Sequence, residues 1–199
     1  AMNDLYNALA GASQAENREL FSKLKSPAFL KQLHNASKAN MLMSNASTVA
    51  GQDLNYNVAL DDNGVIYQYV DTNNVAWHAG KVNKYSIGID FTNAYYTKYN
   101  KWYEKNGFGE RPILKNSRVH GIKLKPHLGY YKIQIEAYKK LVKTLCDHYN
   151  IPLQAPEVDG VVKSAADGNY EGIVCHYHLT RKKIDCAGLN LKSIVDQLS

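Results

Sequence analysis

The sequence has few cysteines and no long apolar runs, which are the features typical of disulfide-rich and of membrane proteins. It contains three cysteines, Cys146, Cys175 and Cys186, and an odd number argues against a simple disulfide framework. No two of them form a CxxC pair, which argues against a structural zinc finger. No apolar run approaches the roughly 18 residues of a membrane span. We therefore expect no membrane insertion.

The first residues also lack the basic region and apolar core that define a secretory signal peptide. Residues 1–27 instead predict an N-terminal helical extension that stops at Pro27. Without a signal peptide, we expect the protein to be made in the cytoplasm.

Charge and aromatic content point to a class of partner. The formal net charge of +6 favours attraction to polyanions, including acidic cell-wall polymers. The basic residues are dispersed apart from Arg181, Lys182 and Lys183, so we expect no nucleic-acid partner. The 15 tyrosines against 4 phenylalanines suit a groove for polar, ring-shaped ligands such as sugars, although compositional drift explains the excess equally well.

Alternating apolar residues predict a β-hairpin near the middle of the chain. LNYNVAL (54–60) and VIYQYV (65–70) flank the turn sequence DDNG, which is typical of a hairpin. YSIGIDF (85–91) is more continuously apolar and predicts a buried third strand. AFLKQLH (28–34) and EGIVCH (171–176) predict two further short strands.

Helical patterns lie mainly in the second half. Residues 130–150 carry apolar positions on one helical face, and residues 189–198 predict a closing helix. Residues 92–129 show no lasting period and predict an irregular excursion. The mixture predicts a single α/β domain over residues 28–199, with a central mixed β-sheet flanked by helices.

Two histidines stand where predicted strands end. His34 closes one strand and His176 another, and strand ends present side chains to clefts. A catalytic zinc site needs three protein ligands, and these histidines with one acidic or thiol group from KKIDCAG (182–188) would supply them. Each histidine could equally be hydrogen-bonded to a nearby loop. For His78, the roles of ligand, substrate contact and structural residue remain open.

The segment from residue 54 to residue 91 resembles a known family. Its elements are Tyr56 in the first strand, a D-x-G turn, I-Y-Q, A-W-H-A-G, Asn83 and S-I-G-I-D. In this order they resemble the core of the zinc-dependent N-acetylmuramoyl-L-alanine amidases, the type 2 amidase and peptidoglycan-recognition-protein superfamily that includes many phage endolysins.

The resemblance implies zinc in a surface groove, and hydrolysis of the amide between N-acetylmuramic acid and L-alanine of the stem peptide. The partner would be bacterial peptidoglycan, and we expect a monomer. The protein would act on the wall after release, as phage lysins do, or on wall fragments in the cytoplasm. The alternative is a non-catalytic peptidoglycan-binding module of the same fold, which would typically lack both Asp and Cys at the third ligand position.

The resemblance also implies roles for individual residues. His34 and His176 would bind zinc, and Tyr56 would lie by the metal-bound water. Trp77, His78 and Asn83 would contact the substrate.

The third zinc ligand depends on how the C-terminal motif is aligned. The family commonly has K-x-D-P or K-x-C-P, in which the Asp or Cys binds zinc and the lysine stabilises the oxyanion. Asp185 as ligand places Lys183 at the lysine position. Cys186 as ligand would put Ile184 there and remove the charged donor. We therefore favour Asp185, with Cys186 as the alternative.

Overall fold

A three-stranded mixed sheet carries the segments that form the site. The computed structural model describes residues 56–199. Strand β1 (Val58–Leu60) lies between β2 (Ile66–Gln68) and β3 (Ile89–Phe91). It runs antiparallel to β2 and parallel to β3, and all three of its side chains are buried. The predicted α/β domain with a mixed sheet is confirmed.

The turn of the predicted hairpin is held by its first aspartate. The Asp61 carboxylate accepts hydrogen bonds from the backbone N–H groups of Asn63 (2.9 Å) and Val65 (2.8 Å), as aspartates in turns commonly do. Gly64 has φ +76°, and a Cβ there would lie 2.8 Å from the Ile133 carbonyl oxygen. This position therefore requires glycine.

The third strand is shorter and less buried than its sequence predicts. Residues 80–85 form a 3₁₀ helix, Gly80–Tyr85, so pairing with β1 is confined to β3. All three β3 residues are half-buried. The prediction of a buried strand over residues 85–91 is wrong in both extent and burial.

The long helix Lys132–Tyr149 packs its apolar face on the core that contains β1. The helices are α1 (Asn100–Lys105), α2 (Lys132–Tyr149), α3 (Lys163–Ala166), α4 (His176–Leu179) and α5 (Leu191–Asp196). Leu141, Val142 and Leu145 of α2 share this core with Val58. Both α2 and α5 confirm the helices predicted from apolar spacing.

The excursion over residues 92–129 has more regular structure than its sequence predicts. Besides α1 it contains four two-residue strands: β4 (Ile113–Leu114), β5 (Arg118–Val119), β6 (Ile122–Lys123) and β7 (His127–Leu128). Strand β4 pairs with β7, and β5 pairs with β6, both antiparallel.

The guanidinium of Arg111 anchors this excursion. It is fully buried and donates to Gly129 O (2.9 Å), Gln134 Oε1 (3.1 Å) and Thr92 O (2.9 Å). It also forms an ion pair with Asp62 in the hairpin turn. One side chain therefore ties the excursion to the sheet and to α2.

The predicted strand over residues 171–176 is absent from the structure. Ile173 N–H bonds to Gln154 O (2.8 Å) in a neighbouring loop. Cys175 caps α4, because its N–H donates to His178 Nδ1 (2.9 Å) and its carbonyl accepts from His178 N–H (3.0 Å). Such local side-chain bonds compete with sheet pairing. His176 therefore begins a helix and does not end a strand.

Two predictions fall on residues 1–55, which lie outside the described residues: the helical extension over 1–27 and the strand over 28–34 with His34. Within residues 56–199, no helix combines the length and apolar character needed to cross a membrane.

Candidate active site

The side chains of His176 and Asp185 meet at the surface. His176 Nδ1 is in hydrogen-bond contact with Asp185 Oδ2, and the two side chains are 22% and 54% exposed. On the other side of the ring, His176 Nε2 lies 2.8 Å from the backbone carbonyl oxygen of His78. The His78 carbonyl therefore holds the His176 ring on one side, and the side with Asp185 is open to solvent.

This arrangement fixes which nitrogen of His176 carries a proton. A carbonyl oxygen can only accept a hydrogen bond, so Nε2 must be the donor to His78. In the neutral ring, Nδ1 then carries a lone pair, and it faces a carboxylate oxygen. Two such acceptors repel each other unless a proton or another cation lies between them, to which both can then bind. The pair is thus a place where positive charge is favoured.

The pKa values of the two groups move as this geometry requires. The hydrogen bond with Asp185 raises the pKa of His176, against burial, which acts to lower it. Burial acts to raise the pKa of Asp185, but the hydrogen bond and charge of His176 and the charge of Lys183 bring it below its ordinary value. Each partner stabilises the charged form of the other.

The loop that carries His78 is held by its own side chains. His78 Nδ1 lies 3.1 Å from Ala76 O, and Nε2 lies 2.9 Å from Ser86 Oγ. Gly88 faces the same ring, since a Cβ on it would lie 2.6 Å from His78 Cγ. Burial lowers the pKa of His78, which favours the neutral ring. These contacts fix the His78 carbonyl that orients His176.

The three residues predicted to contact the substrate differ in their exposure and in their hydrogen bonds. Trp77 is 77% exposed and is free to meet a ligand. His78 has both ring nitrogens in contact within the loop. Asn83 is buried, and its Oδ1 accepts the Ala79 N–H at 2.6 Å, so it supports the turn after His78. Contact of these three residues with substrate stays a prediction.

Tyr56 and Asp90 lie close to the pair. Burial raises the pKa of Tyr56, and the nearby Asp90, Asp185 and Cys186 raise it further. Tyr56 therefore keeps its phenolic proton at neutral pH. Burial, with the charge of Asp185, raises the pKa of Asp90 to about 7. The sequence interpretation missed Asp90, although it lies within the S-I-G-I-D motif.

Asn57 is a second residue that the sequence interpretation missed. It is completely buried. Its Oδ1 accepts the Gly88 N–H at 2.9 Å, and its Nδ2 donates to Asp71 O and Asn74 O at 3.1 Å. It joins both ends of the loop that carries His78. An asparagine among the apolar residues of a predicted strand was the available signal, because a buried amide must be hydrogen-bonded.

Lys183 and Cys186 flank Asp185 and point to different partners. The charge of Lys183 acts on both His176 and Asp185, and its side chain is exposed. The thiol of Cys186 instead hydrogen-bonds to Cys175, which raises the pKa of Cys186 and lowers that of Cys175. Asp185 is thus the C-terminal acidic group in contact with the ring of His176.

Comparison with known families agrees with the sequence motifs. A family model described as N-acetylmuramoyl-L-alanine amidase matches residues 26–188, well over half of the chain. The chain belongs to this amidase family. The match confirms the resemblance to the type 2 amidase superfamily. Searches of curated proteins and of solved structures found no match.

Membership of the amidase family supports peptidoglycan amidase activity in general, with peptidoglycan as the substrate. Among residues 56–199, no group of three or more His, Cys, Asp or Glu side chains is placed to hold a metal ion. His34, the predicted first ligand, lies inside the matched segment but outside the described residues.

Proposed function

We propose that this amidase is a catalytic, zinc-dependent hydrolase of the bond between N-acetylmuramic acid and L-alanine. The observation that carries the proposal is the contact between His176 Nδ1 and the Asp185 carboxylate, with His176 Nε2 bonded to a backbone carbonyl. Metal-binding histidines typically donate their second ring N–H to a carbonyl or carboxylate, which orients the ring.

The donors present fit zinc. An imidazole nitrogen with a free lone pair and a carboxylate oxygen are both ligands that zinc takes. They face each other at a half-exposed position, where a cation is favoured and substrate can reach. With His34 as the third ligand, the set would leave one position open, as catalytic zinc sites do.

The protein's own groups would act around that position. A zinc ion held by these residues would supply an activated water molecule and a Lewis acid for the substrate carbonyl. The Tyr56 hydroxyl, which is protonated at neutral pH and whose pKa burial raises further, would donate a hydrogen bond to the attacking water. The Lys183 ammonium would stabilise the negative charge that develops on the carbonyl oxygen. Trp77 offers an exposed ring for the apolar face of a sugar.

The main test is to identify the bond that is cut. Purified peptidoglycan is digested with and without a chelator, and the products are analysed by mass spectrometry. We expect free stem peptides that begin with L-alanine, and their loss when the chelator is present. Binding to peptidoglycan without any cleavage would support the binding-module alternative. Comparing intact walls with soluble fragments shows whether the protein acts as a lysin or on wall fragments.

The choice of ligand has its own test. Asp185→Asn should lose zinc in metal analysis, while Cys186→Ser should keep it, because the Cys186 thiol is engaged by Cys175. Zinc loss in Cys186→Ser with retention in Asp185→Asn would make Cys186 the ligand.

The role of Lys183 can be measured against its neighbour. Lys183→Ala should lower kcat about 100- to 1,000-fold with zinc retained, which is the usual effect of removing one oxyanion donor. Lys182→Ala removes the same charge one residue away and should change kcat little. Equal effects of the two variants would show that general charge matters, with no specific donor at Lys183.

A further inference from the structure

The excursion over residues 92–129 contains a cleft that the proposed reaction does not use. It has a volume of about 640 Å³. One wall is formed by residues 95–98 and the other by residues 123–126. The side chains on the two walls are chiefly tyrosines and lysines: Tyr95, Tyr96, Lys98, Lys123 and Lys125. We call it the tyrosine–lysine cleft.

The cleft has positive charge with no neutralising partner in the described structure. Three lysines line it, and no carboxylate from residues 56–199 does. Elsewhere lysines pair with acidic residues, for example Lys81 and Lys163 with Asp167. The described part of the chain contains no such partner for Lys98, Lys123 or Lys125. An anionic ligand would therefore complement the cleft.

The aromatic side of the cleft is exposed and ordered by contacts. Tyr96 is 57% exposed, and Lys98 Nζ lies 5.6 Å from its ring centroid and 5.0 Å from that of Tyr99. Tyr95 packs edge-on against the buried His127, with 4.8 Å between ring centroids. Exposed tyrosines offer an apolar face to a sugar ring and a hydroxyl to its polar groups.

The two walls are joined by the backbone, so the cleft exists before any ligand binds. Leu128 N–H donates to Tyr95 O at 2.9 Å, and Tyr96 forms a β-bridge with His127. Strand β7, which contains His127, also pairs with β4. A preformed site loses less conformational entropy on binding.

From these observations we propose that the tyrosine–lysine cleft binds a phosphate-bearing glycan or polyol polymer of the bacterial wall, and so holds the amidase on its insoluble substrate. One wall offers rings for sugar faces, and both walls carry ammonium groups, which bind phosphate as point charges. Single-stranded nucleic acid is also bound by aromatic and basic groups. The cleft favours the wall polymer, because none of its described cations is an arginine and the family acts on the wall.

The test measures binding to walls with the chelator present, so that its outcome does not depend on catalysis. Full-length protein is sedimented with purified walls that carry phosphate polymers, and with the same walls after hydrofluoric acid has removed them. We expect binding to untreated walls, weakened by salt, and about tenfold or more weaker binding to stripped walls.

Variants then locate the binding site. A triple variant, Lys98→Ala with Lys123→Ala and Lys125→Ala, should bind untreated walls about tenfold more weakly. The control variant replaces the exposed residues Lys105, Lys132 and Lys140 with alanine. It therefore has the same net charge as the cleft variant. It should bind nearly as the unmodified protein does. Tyr96→Ala should also weaken binding, at unchanged net charge. The midpoint of urea unfolding confirms that each variant is folded.

Three results would overturn the proposal. One is equal binding by the cleft variant and the control variant. Another is equal binding to untreated and stripped walls. The last is tighter binding of a single-stranded oligonucleotide than of the walls, which would assign the cleft to nucleic acid.

Discussion

Two contacts between a basic and an acidic side chain in this protein differ in how many of their polar atoms have a partner within the fold. Arg111 and Asp62 form a pair in which the guanidinium is fully buried and also bonds to three other oxygen atoms of the protein. Its Cζ atom lies 4.4 Å from the ring centroids of both Tyr103 and Tyr131. Nearly every polar group of this pair is used within the fold.

The pair of His176 and Asp185 is open by contrast. Its carboxylate is about half exposed, and the two groups present acceptor atoms to each other unless a cation intervenes. A buried charge must be paired and hydrogen-bonded to be tolerated, and Arg111 meets that condition for structure. A half-exposed pair with unused acceptors can exchange partners, which is what a ligand site requires.

The largest effect should come from neutralising the open pair. Asp185→Asn should abolish hydrolysis, because it removes the proposed zinc ligand. It should change the free energy of unfolding of the zinc-free protein by about 1 kcal/mol or less, as exposed ion pairs usually do. Peptide release and urea unfolding measure the two effects. Asp167→Asn, at an exposed carboxylate, is the control and should keep full activity. Substantial unfolding of Asp185→Asn would make this pair structural as well.

Neutralising the closed pair should have the opposite consequence. Arg111→Met leaves Asp62 without its partner in a largely buried position, so the free energy of unfolding should fall by about 3–5 kcal/mol. Urea unfolding tests this. Lys139→Met breaks a partly exposed pair with Glu136 and should have little effect. If Arg111→Met were as stable as Lys139→Met, the excursion would not depend on this anchor.

A smaller effect is expected from displacing the His78 carbonyl, which orients the ring of His176. Gly88→Ala places a methyl group against the His78 ring, at 2.6 Å from Cγ, and so displaces the carbonyl that orients His176. Loss of such an orienting contact typically reduces metal affinity about 10- to 100-fold. Zinc titration with a competing chelator measures it. Gly160→Ala, where the nearest atom is at 3.9 Å, should bind zinc normally.

The last prediction concerns the pH dependence of stability. The pKa of Asp90 is raised to about 7 from an ordinary value of 3.8, so between these values the folded protein holds a proton that the unfolded chain has released. Asp90 therefore contributes stability at low pH that is lost as the pH rises toward 7. Asp90→Asn should lose less stability than the unmodified protein between pH 4 and pH 7. Urea unfolding at both pH values, with chelator present, checks this. Identical losses would contradict the raised pKa.

Local patterns explain what the sequence could predict. The hairpin and α2 repeat an apolar spacing over many residues, and such repeats identify elements well. The A-W-H-A-G and S-I-G-I-D motifs located the loop beside His176. They did not reveal that the backbone carbonyl of His78, and not its ring, contacts His176.

The features that the sequence could not predict depend on contacts between segments that are distant along the chain. Arg111 is bonded to Asp62, Thr92, Gly129 and Gln134, and no spacing along the chain signals that set. Asn57 and Asp90 are single polar residues within predicted strands, and a single residue does not produce a periodic pattern. The predicted strand at residues 171–176 failed because a bond between His178 and Cys175 favours a cap.

The anchoring of the excursion by one guanidinium has a consequence for how this domain can vary. Arg111 fastens the excursion to Asp62 in the hairpin turn and to Gln134 in α2, and it also bonds to Thr92 and Gly129 at the two ends of the excursion. The motif loop beside His176 supplies none of these bonds. Recombination or protein engineering that keeps Asn100 and Tyr103, which contact Arg111, should therefore be able to change the other residues between Thr97 and Glu110 while the loops beside His176 keep their shape. The excursion is in this sense a separately anchored unit, whose tyrosine–lysine cleft can vary without a change in the loops beside His176.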